Sequence, residues 1–210
     1  MSILGVTDLA TYVLGTIVII LTPGPNSMFV LTTASKNGAR TGFAAAAGVF
    51  CGDLALMLAA ALGVASLMQT YPLAFDFVRY AGAAYLGYLG LKLLLSRTGK
   101  ADEAAVAQAA GPQRAFRQAL SISLVNVKAI LFFMAFFPQF VDPHYPHVVL
   151  TFATLGIIVQ VTSMAYLTLL ILAGSQIVRR LAQRRWLASL GAKLTGLLFV
   201  SFGLRLATSR

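Results

Sequence analysis

Charge is scarce in this chain. Asp, Glu, Lys and Arg together make up 10% of its 210 residues, against about 25% in an ordinary soluble domain. With 59% hydrophobic residues, it lacks the polar surface a water-soluble domain needs and reads as an integral membrane protein. Cysteine is nearly missing. Cys51 stands alone, which excludes an intrachain disulfide and any Cys-rich metal site and leaves it as a small apolar filler. No histidine lies in an apolar run. His144 and His147 fall together beside Asp142, with a spacing that suits a solvated loop better than a metal site. Without a nucleophile and base, or a metal cluster, inside the apolar runs, an enzyme is not expected. Neither is a cofactor. The leader Met1 to Asp8 contains no basic residue, so a cleaved signal peptide is not expected either.

What is present is length without charge. Crossing a bilayer core takes roughly 20 apolar residues, and uncharged runs of that order occur at Leu9 to Ser35 and Val148 to Val178. Four more spans admit one to three charges: Thr41 to Met68, Leu73 to Leu95, Arg117 to Phe140 and Leu187 to Thr208. The fold class expected is therefore an all-α integral membrane protein with six transmembrane helices. They account for nearly the whole chain as a single transmembrane domain, 1–210.

The formal net charge of +10 invites a nucleic-acid reading, but its placement argues for topology instead. Lys36 and Arg40 lie between spans one and two. Lys92, Arg97, Lys100, Arg114 and Arg117 cluster between three and four, and Arg179, Arg180, Arg184 and Arg185 lie between five and six. The alternate loops, Thr70 to Pro72 and Asp142 to His147, contain no Lys or Arg. By the positive-inside rule the basic loops are cytoplasmic and both termini lie outside. No nucleic-acid partner is expected, since that would want a basic face interleaved with aromatics.

Three spans per half put the second half into the membrane from the opposite side, giving two inverted three-helix repeats, residues 9–95 and 117–208, joined by a cytoplasmic linker at 96–116. Gly82-Ala83-Ala84-Tyr85-Leu86-Gly87 in the third span is answered by Gly191-Ala192-Lys193-Leu194-Thr195-Gly196 in the sixth. The strongest local signal is a pair of interruptions in corresponding places: Thr22-Pro23-Gly24-Pro25-Asn26 in span one and Asn126-Val127-Lys128-Ala129 in span four. Non-helical backbone at membrane depth survives only where protein buries it or a wet cavity adjoins it, so paired breaks point to a transporter's binding site.

The candidate site residues follow from these breaks. Asp53 is about a dozen residues into span two, near mid-membrane at 1.5 Å rise per residue. Leaving an acid there costs about 2.5 kcal/mol or more, which makes it a functional candidate. It suits either a proton and a substrate ammonium in turn, or a structural ion pair with Lys128. Lys128, the deep cation, could hold a substrate carboxylate, pair with Asp53, or snorkel to the surface. The helix restarting after Pro23, Gly24 and Pro25 presents unpaired N–H groups to a carboxylate; Asn26 and Asn126 can replace lost backbone hydrogen bonds. Gln160 either faces the cavity or bonds a neighbouring helix. Gly48 and Gly52 form a small-residue pair that suits close packing beside Asp53 or a homodimer seam. Phe132, Phe133, Phe136 and Phe137 face lipid, fill gaps or line an apolar pocket.

Taken together, these residues resemble the amino-acid exporters of the lysine exporter and homoserine/threonine exporter superfamily. The likeness runs from Thr22-Pro23-Gly24-Pro25-Asn26 through Gly48-Val49-Phe50-Cys51-Gly52-Asp53 and Arg79-Tyr80-Ala81-Gly82-Ala83 to Asn126-Val127-Lys128-Ala129. Phe136-Phe137-Pro138-Gln139-Phe140-Val141-Asp142 and Gly196-Leu197-Leu198-Phe199-Val200 point within it to exporters of leucine-like substrates. The resemblance implies export of neutral, apolar amino acids across the bacterial inner membrane by proton antiport. Homoserine/threonine, cysteine or lysine types of cargo, a passive channel and a divalent-cation exporter stand as alternatives; the last would want several converging acids. One departure is Val127, where the family usually has proline. Its backbone donor is expected to weaken the break in span four.

Overall fold

The computed structural model describes residues 4–70, 111–142 and 145–173, with the isolated positions 88, 91, 193, 197, 200 and 201. Spans three and six, the repeated glycine motifs, most of the linker and His144 lie outside the described residues. Among those described the chain is helical: α1 (Leu9–Leu21), α2 (Pro25–Asn37), α3 (Ala39–Thr70), α4 (Pro112–Leu124), α5 (Val127–Leu131) and α6 (Val148–Leu172). From α5 the chain runs on as a π-helical turn, Phe132–Phe136, and a 3-10 turn, Phe137–Phe140. Helix α4 begins at Pro112, so the end of the expected linker is helical.

Two of these helices, α3 and α6, are long and apolar enough to cross a membrane. The pairs α1–α2 and α4 with Val127–Phe140 are long and apolar enough only when each is taken as one bent span, turning by 50° and 53°. The second bend forms without a proline at 127, contrary to the weakening expected there. Asn126 supplies the reason: its side chain accepts from Lys128 N at 3.1 Å and so caps a new helix in place of the old one.

Close backbone approach sets how the spans pack. A Cβ on Gly48 would run into the Phe116 carbonyl and Ala119, and one on Gly52 would meet Ser123 Cβ at 2.5 Å. These contacts advance along α3 and α4 in the same sense, so the two helices run parallel. Ile171 lies against Gly42 and Met57 against Gly156, which sets α6 antiparallel to α3. The Gly48–Gly52 face is therefore occupied within the chain, and a homodimer seam cannot form on it. Cys51, on the same helix, is exposed rather than a core filler, because the face that packs is the glycine face.

The buried side chains fall into two clusters. One gathers Phe29, Val30, Ala45, Ala46, Val49, Ala115, Ala119, Leu167, Leu170 and Ile171, at the end where α3 and α4 begin and where Lys36, Arg40, Arg114 and Arg117 stand. The other holds Val6, Tyr12, Ile19, Met57, Phe136, Phe137, Phe140, Phe152 and Leu155, with Phe132, Phe133 and Val159. The phenylalanines thus face inward and not lipid: Phe132 stacks on Phe136 at 5.0 Å, and Phe136 meets Phe140 at 4.8 Å. Tyr12 joins them and donates to the Leu155 carbonyl at 2.8 Å.

The residues before α1 close this second end as a strap. Val6 bridges Val141 in antiparallel fashion, Thr7 N donates to Phe140 O and Asp142 N to Gly5 O, both at 2.9 Å. Thr151 Oγ1 donates to Leu4 O. Gly5 has φ +72° and is crowded by Thr151 and Tyr145, a position only glycine fills without strain. His147 turns edge-on to Tyr145.

The close approach of α3 and α4 can be tested with two single methyl groups. Gly48→Ala should lower thermal stability in detergent, overpacking being worth about 1–3 kcal/mol. Gly63→Ala, where nothing lies within 4 Å, should be neutral or stabilising by up to about 1 kcal/mol. Equal melting temperatures for the two variants would refute the packing described.

Candidate functional site

The first break is built by residues that cannot continue a helix. Thr22 ends α1 with its N–H and its hydroxyl both donating to Val18 O, at 3.2 and 2.8 Å. Pro23 and Pro25 have no N–H to give, and Gly24 between them is fully extended. Ser27 Oγ turns back on Gly24, accepting from its N–H at 3.0 Å and donating to its carbonyl at 3.1 Å. Two carbonyls of the broken turn, Ile19 O and Thr22 O, each accept a hydrogen bond from Lys128 Nζ at 2.6 Å. The ammonium thus does for α1 what the next helical turn would have done. It neither snorkels to the surface nor spends its hydrogen bonds on Asp53.

The second break meets the first. Asn126 N donates to Ser123 O as α4 ends, and Ser123, fully buried, sends its hydroxyl across to α3, donating to Asp53 Oδ1 at 2.6 Å. Ser123 Oγ in turn accepts from Asn26 Nδ2, in the first turn of α2, at 3.2 Å. A row Asn26–Ser123–Asp53 therefore ties the start of α2 and the end of α4 to the middle of α3, while Lys128 ties the end of α1 to the start of α5. Each broken span is held by the other.

Between the two apolar clusters lies a cavity of about 80 Å³, room for several water molecules at roughly 10–15 Å³ each. Its polar lining is Asp53, Lys128, Asn26, Asn126 and Ser27, with Gly24 against the lysine stem. Its apolar lining includes Phe132, Phe133, Val159, Leu167, Val49 and Ile19. Asp53 is buried at 7% exposure and lies within electrostatic reach of Lys128. An ammonium has three donors, and Lys128 has committed two to carbonyls. The first-turn N–H groups of α2, at Asn26 and Ser27, have no acceptor within their own helix and add partial positive charge on the same side.

The structure thus brings Asp53, Asn26, Gly24, Asn126 and Lys128 to one cavity. Pro23 and Pro25 shape the break without lining it. Gln160 does not line it either: its Nε2 donates to Phe50 O at 3.0 Å, joining α6 to α3. Sequence reasoning missed Ser123, Ser163 and Tyr166. Ser123 had a signal, being one helical turn before Asn126 on the same span; Ser163 and Tyr166 had none beyond their position three and six residues after Gln160.

Residues 17–210 match the protein family described as LysE type translocator. An uncharacterized membrane protein of Pseudomonas aeruginosa is 48% identical, over 100% of this chain and 99% of its own length. The leucine efflux protein of Salmonella typhimurium is 44% identical, over 97% of this chain and 96% of its own length. The leucine efflux protein of Klebsiella pneumoniae matches to the same extent. No solved structure matches the chain.

The capped break in the second bent span makes a prediction at 127. Val127 is the first residue of α5 and is 62% exposed, and Asn126 before it is extended. Proline suits a first helical position and tolerates an extended residue before it, so Val127→Pro should leave melting in detergent unchanged or raise stability by about 0.4–1 kcal/mol. Asn126→Ala should lose the cap, about 1 kcal/mol. A destabilised Val127→Pro would show that the bend does not have this local geometry.

Proposed function

The chain belongs to the LysE-type translocators, and from that membership we propose that it exports neutral amino acids with apolar side chains, leucine foremost, from the cytoplasm in exchange for protons. The observation that carries the reading is a cavity lined both by charged and polar groups and by apolar side chains. An amino acid in solution is a zwitterion with three parts to satisfy, and each has a counterpart here. Its carboxylate meets the third N–H of Lys128 and the first turn of α2, helped by Asn26. Its ammonium meets the Asp53 carboxylate. Its side chain meets Phe132, Phe133, Val159 and Leu167, where burying a leucine side chain is worth about 1.5–3 kcal/mol. A cationic cargo such as lysine would set a second ammonium against that apolar wall, which is unfavourable.

Coupling follows from competition for one acid. Asp53 holds either the substrate ammonium or a proton, and the two exclude each other. A carrier whose Asp53 accepts a proton on one side of the membrane releases its cargo there and returns loaded with the proton, so inward proton flow drives outward amino-acid flow. In this reading the basic ends of α3 and α4 face the cytoplasm of a bacterial inner membrane, with both termini outside. Two inverted halves rock about the breaks to expose the cavity alternately.

Purified protein in liposomes loaded with labelled leucine tests the proposal. Efflux should rise under an inwardly directed proton gradient, with methionine competing and lysine not. Asp53→Asn should remain inserted and bind lipid as before, yet lose the gradient stimulation. Full gradient-driven efflux by that variant would remove Asp53 from the mechanism. Movement that is only ever downhill would make the protein a channel, and transport of threonine or cysteine in place of leucine would reassign the cargo.

A further inference from the structure

The row Asn26–Ser123–Asp53 has a direction. Ser123 has one proton and gives it to Asp53 Oδ1 at 2.6 Å, while Asn26 Nδ2 donates to the serine oxygen. This arrangement requires Asp53 to be an acceptor, as an ionised carboxylate is. At the far end, the Asn26 Oδ1 atom is buried and has no hydrogen-bond partner. That atom is the acceptor the row would need if it ran the other way.

We propose that Ser123 is a positioning residue that reports the protonation of Asp53 to the break in the first span, through Asn26. The inference rests on the proton-antiport reading above. When a proton arrives on Asp53 Oδ1, two donors face each other across 2.6 Å, and the contact persists only if the serine hydroxyl turns away. Ser123 then accepts from Asp53 and donates to Asn26, whose amide turns over to present Oδ1. The proton stays on Asp53 and no bond other than hydrogen bonds changes. When the proton settles on the other carboxyl oxygen, Oδ1 becomes a neutral acceptor and the bond from Ser123 loses about half its strength. In both cases the tie from α3 to the first turn of α2 is rewritten where the substrate carboxylate binds. Asn26 Nδ2 takes the buried place that Oδ1 leaves in the first case and is loosened in the second. Among the described residues, the other titratable side chains lining the cavity are Lys128 on α5 and Tyr166 on α6; neither interrupts the row.

The test separates coupling from transport in the same liposomes. Leucine counterflow at equal pH on both sides needs no net proton movement, whereas gradient-stimulated efflux, followed with an internal pH dye, does. Ser123 does not line the cavity, so Ser123→Ala should keep counterflow near the wild-type rate. Its stimulation by a proton gradient should fall about tenfold or more, the worth of one hydrogen bond to a charged group. Should Ser123→Ala fail to fold, Ser123→Cys, nearly isosteric and a weak donor, should give the same split. Undiminished stimulation in Ser123→Ala or Ser123→Cys overturns the relay. So does parallel loss of counterflow and stimulation, which would make the residue merely structural. A wild-type protein that shows no proton stimulation overturns the antiport reading itself, and the relay with it; a coupled wild type beside a coupled Ser123→Ala overturns the relay alone.

Discussion

Everything in this fold depends on how a backbone interrupted inside an apolar bundle satisfies its polar groups. Water is not at hand to take them, and each buried carbonyl left alone costs about 1–3 kcal/mol. The chain answers by interrupting two spans at the same level and letting each cap the other. Lys128 of the second closes Ile19 O and Thr22 O of the first, and Ser123 at the end of α4 receives Asn26 from the start of α2. The two apolar clusters on either side of this layer are dry packing, and the layer between them holds the polar groups.

Because the caps are side chains and not further helix, the layer keeps polar groups facing a cavity. A continuous helix would commit its carbonyls to its own N–H groups and leave nothing for a ligand. Here, a lysine with a donor to spare, a helix start and a buried acid converge on the same 80 Å³, with Phe132 and Phe133 in its lining. On the proposed reading, a group that enters interacts with the atoms that hold the breaks in shape, so that binding and bending become one event with no separate hinge.

Much of this was visible in residue types alone. Pro-Gly-Pro announces a break because two missing donors admit no other reading, and the single deep acid and single deep lysine of the described spans stand out by charge. Asn126 was visible as a break residue, but not that its side chain would hold the bend without proline; that depends on Lys128 N lying within reach, a matter of local geometry. The partners of Lys128 were hidden because backbone carbonyls are the same at every residue. Ser123 was hidden because serine is ordinary in membrane helices, and only the approach of Gly52 makes its hydroxyl reach Asp53. Cys51 was misjudged, and the phenylalanines were left between lipid, gap and pocket, for one shared reason: in a chain apolar on all sides, hydrophobicity does not say which face is inward.

The strap before α1 has a consequence for how the molecule is made. Thr7 Oγ1 donates to Gln139 O, 132 positions further along, so the strap finds its partner only once the chain through the aromatic turns before α6 has been built. Closing so long a loop is entropically mild, about 0.6 kcal/mol for each doubling of length, but it is late in time. Until Phe136, Phe137 and Phe140 arrive, Val6 and Tyr12 have no aromatic cluster to enter. The closing of that end therefore marks the moment when the spans have found one another, and the strap is among the last segments to settle.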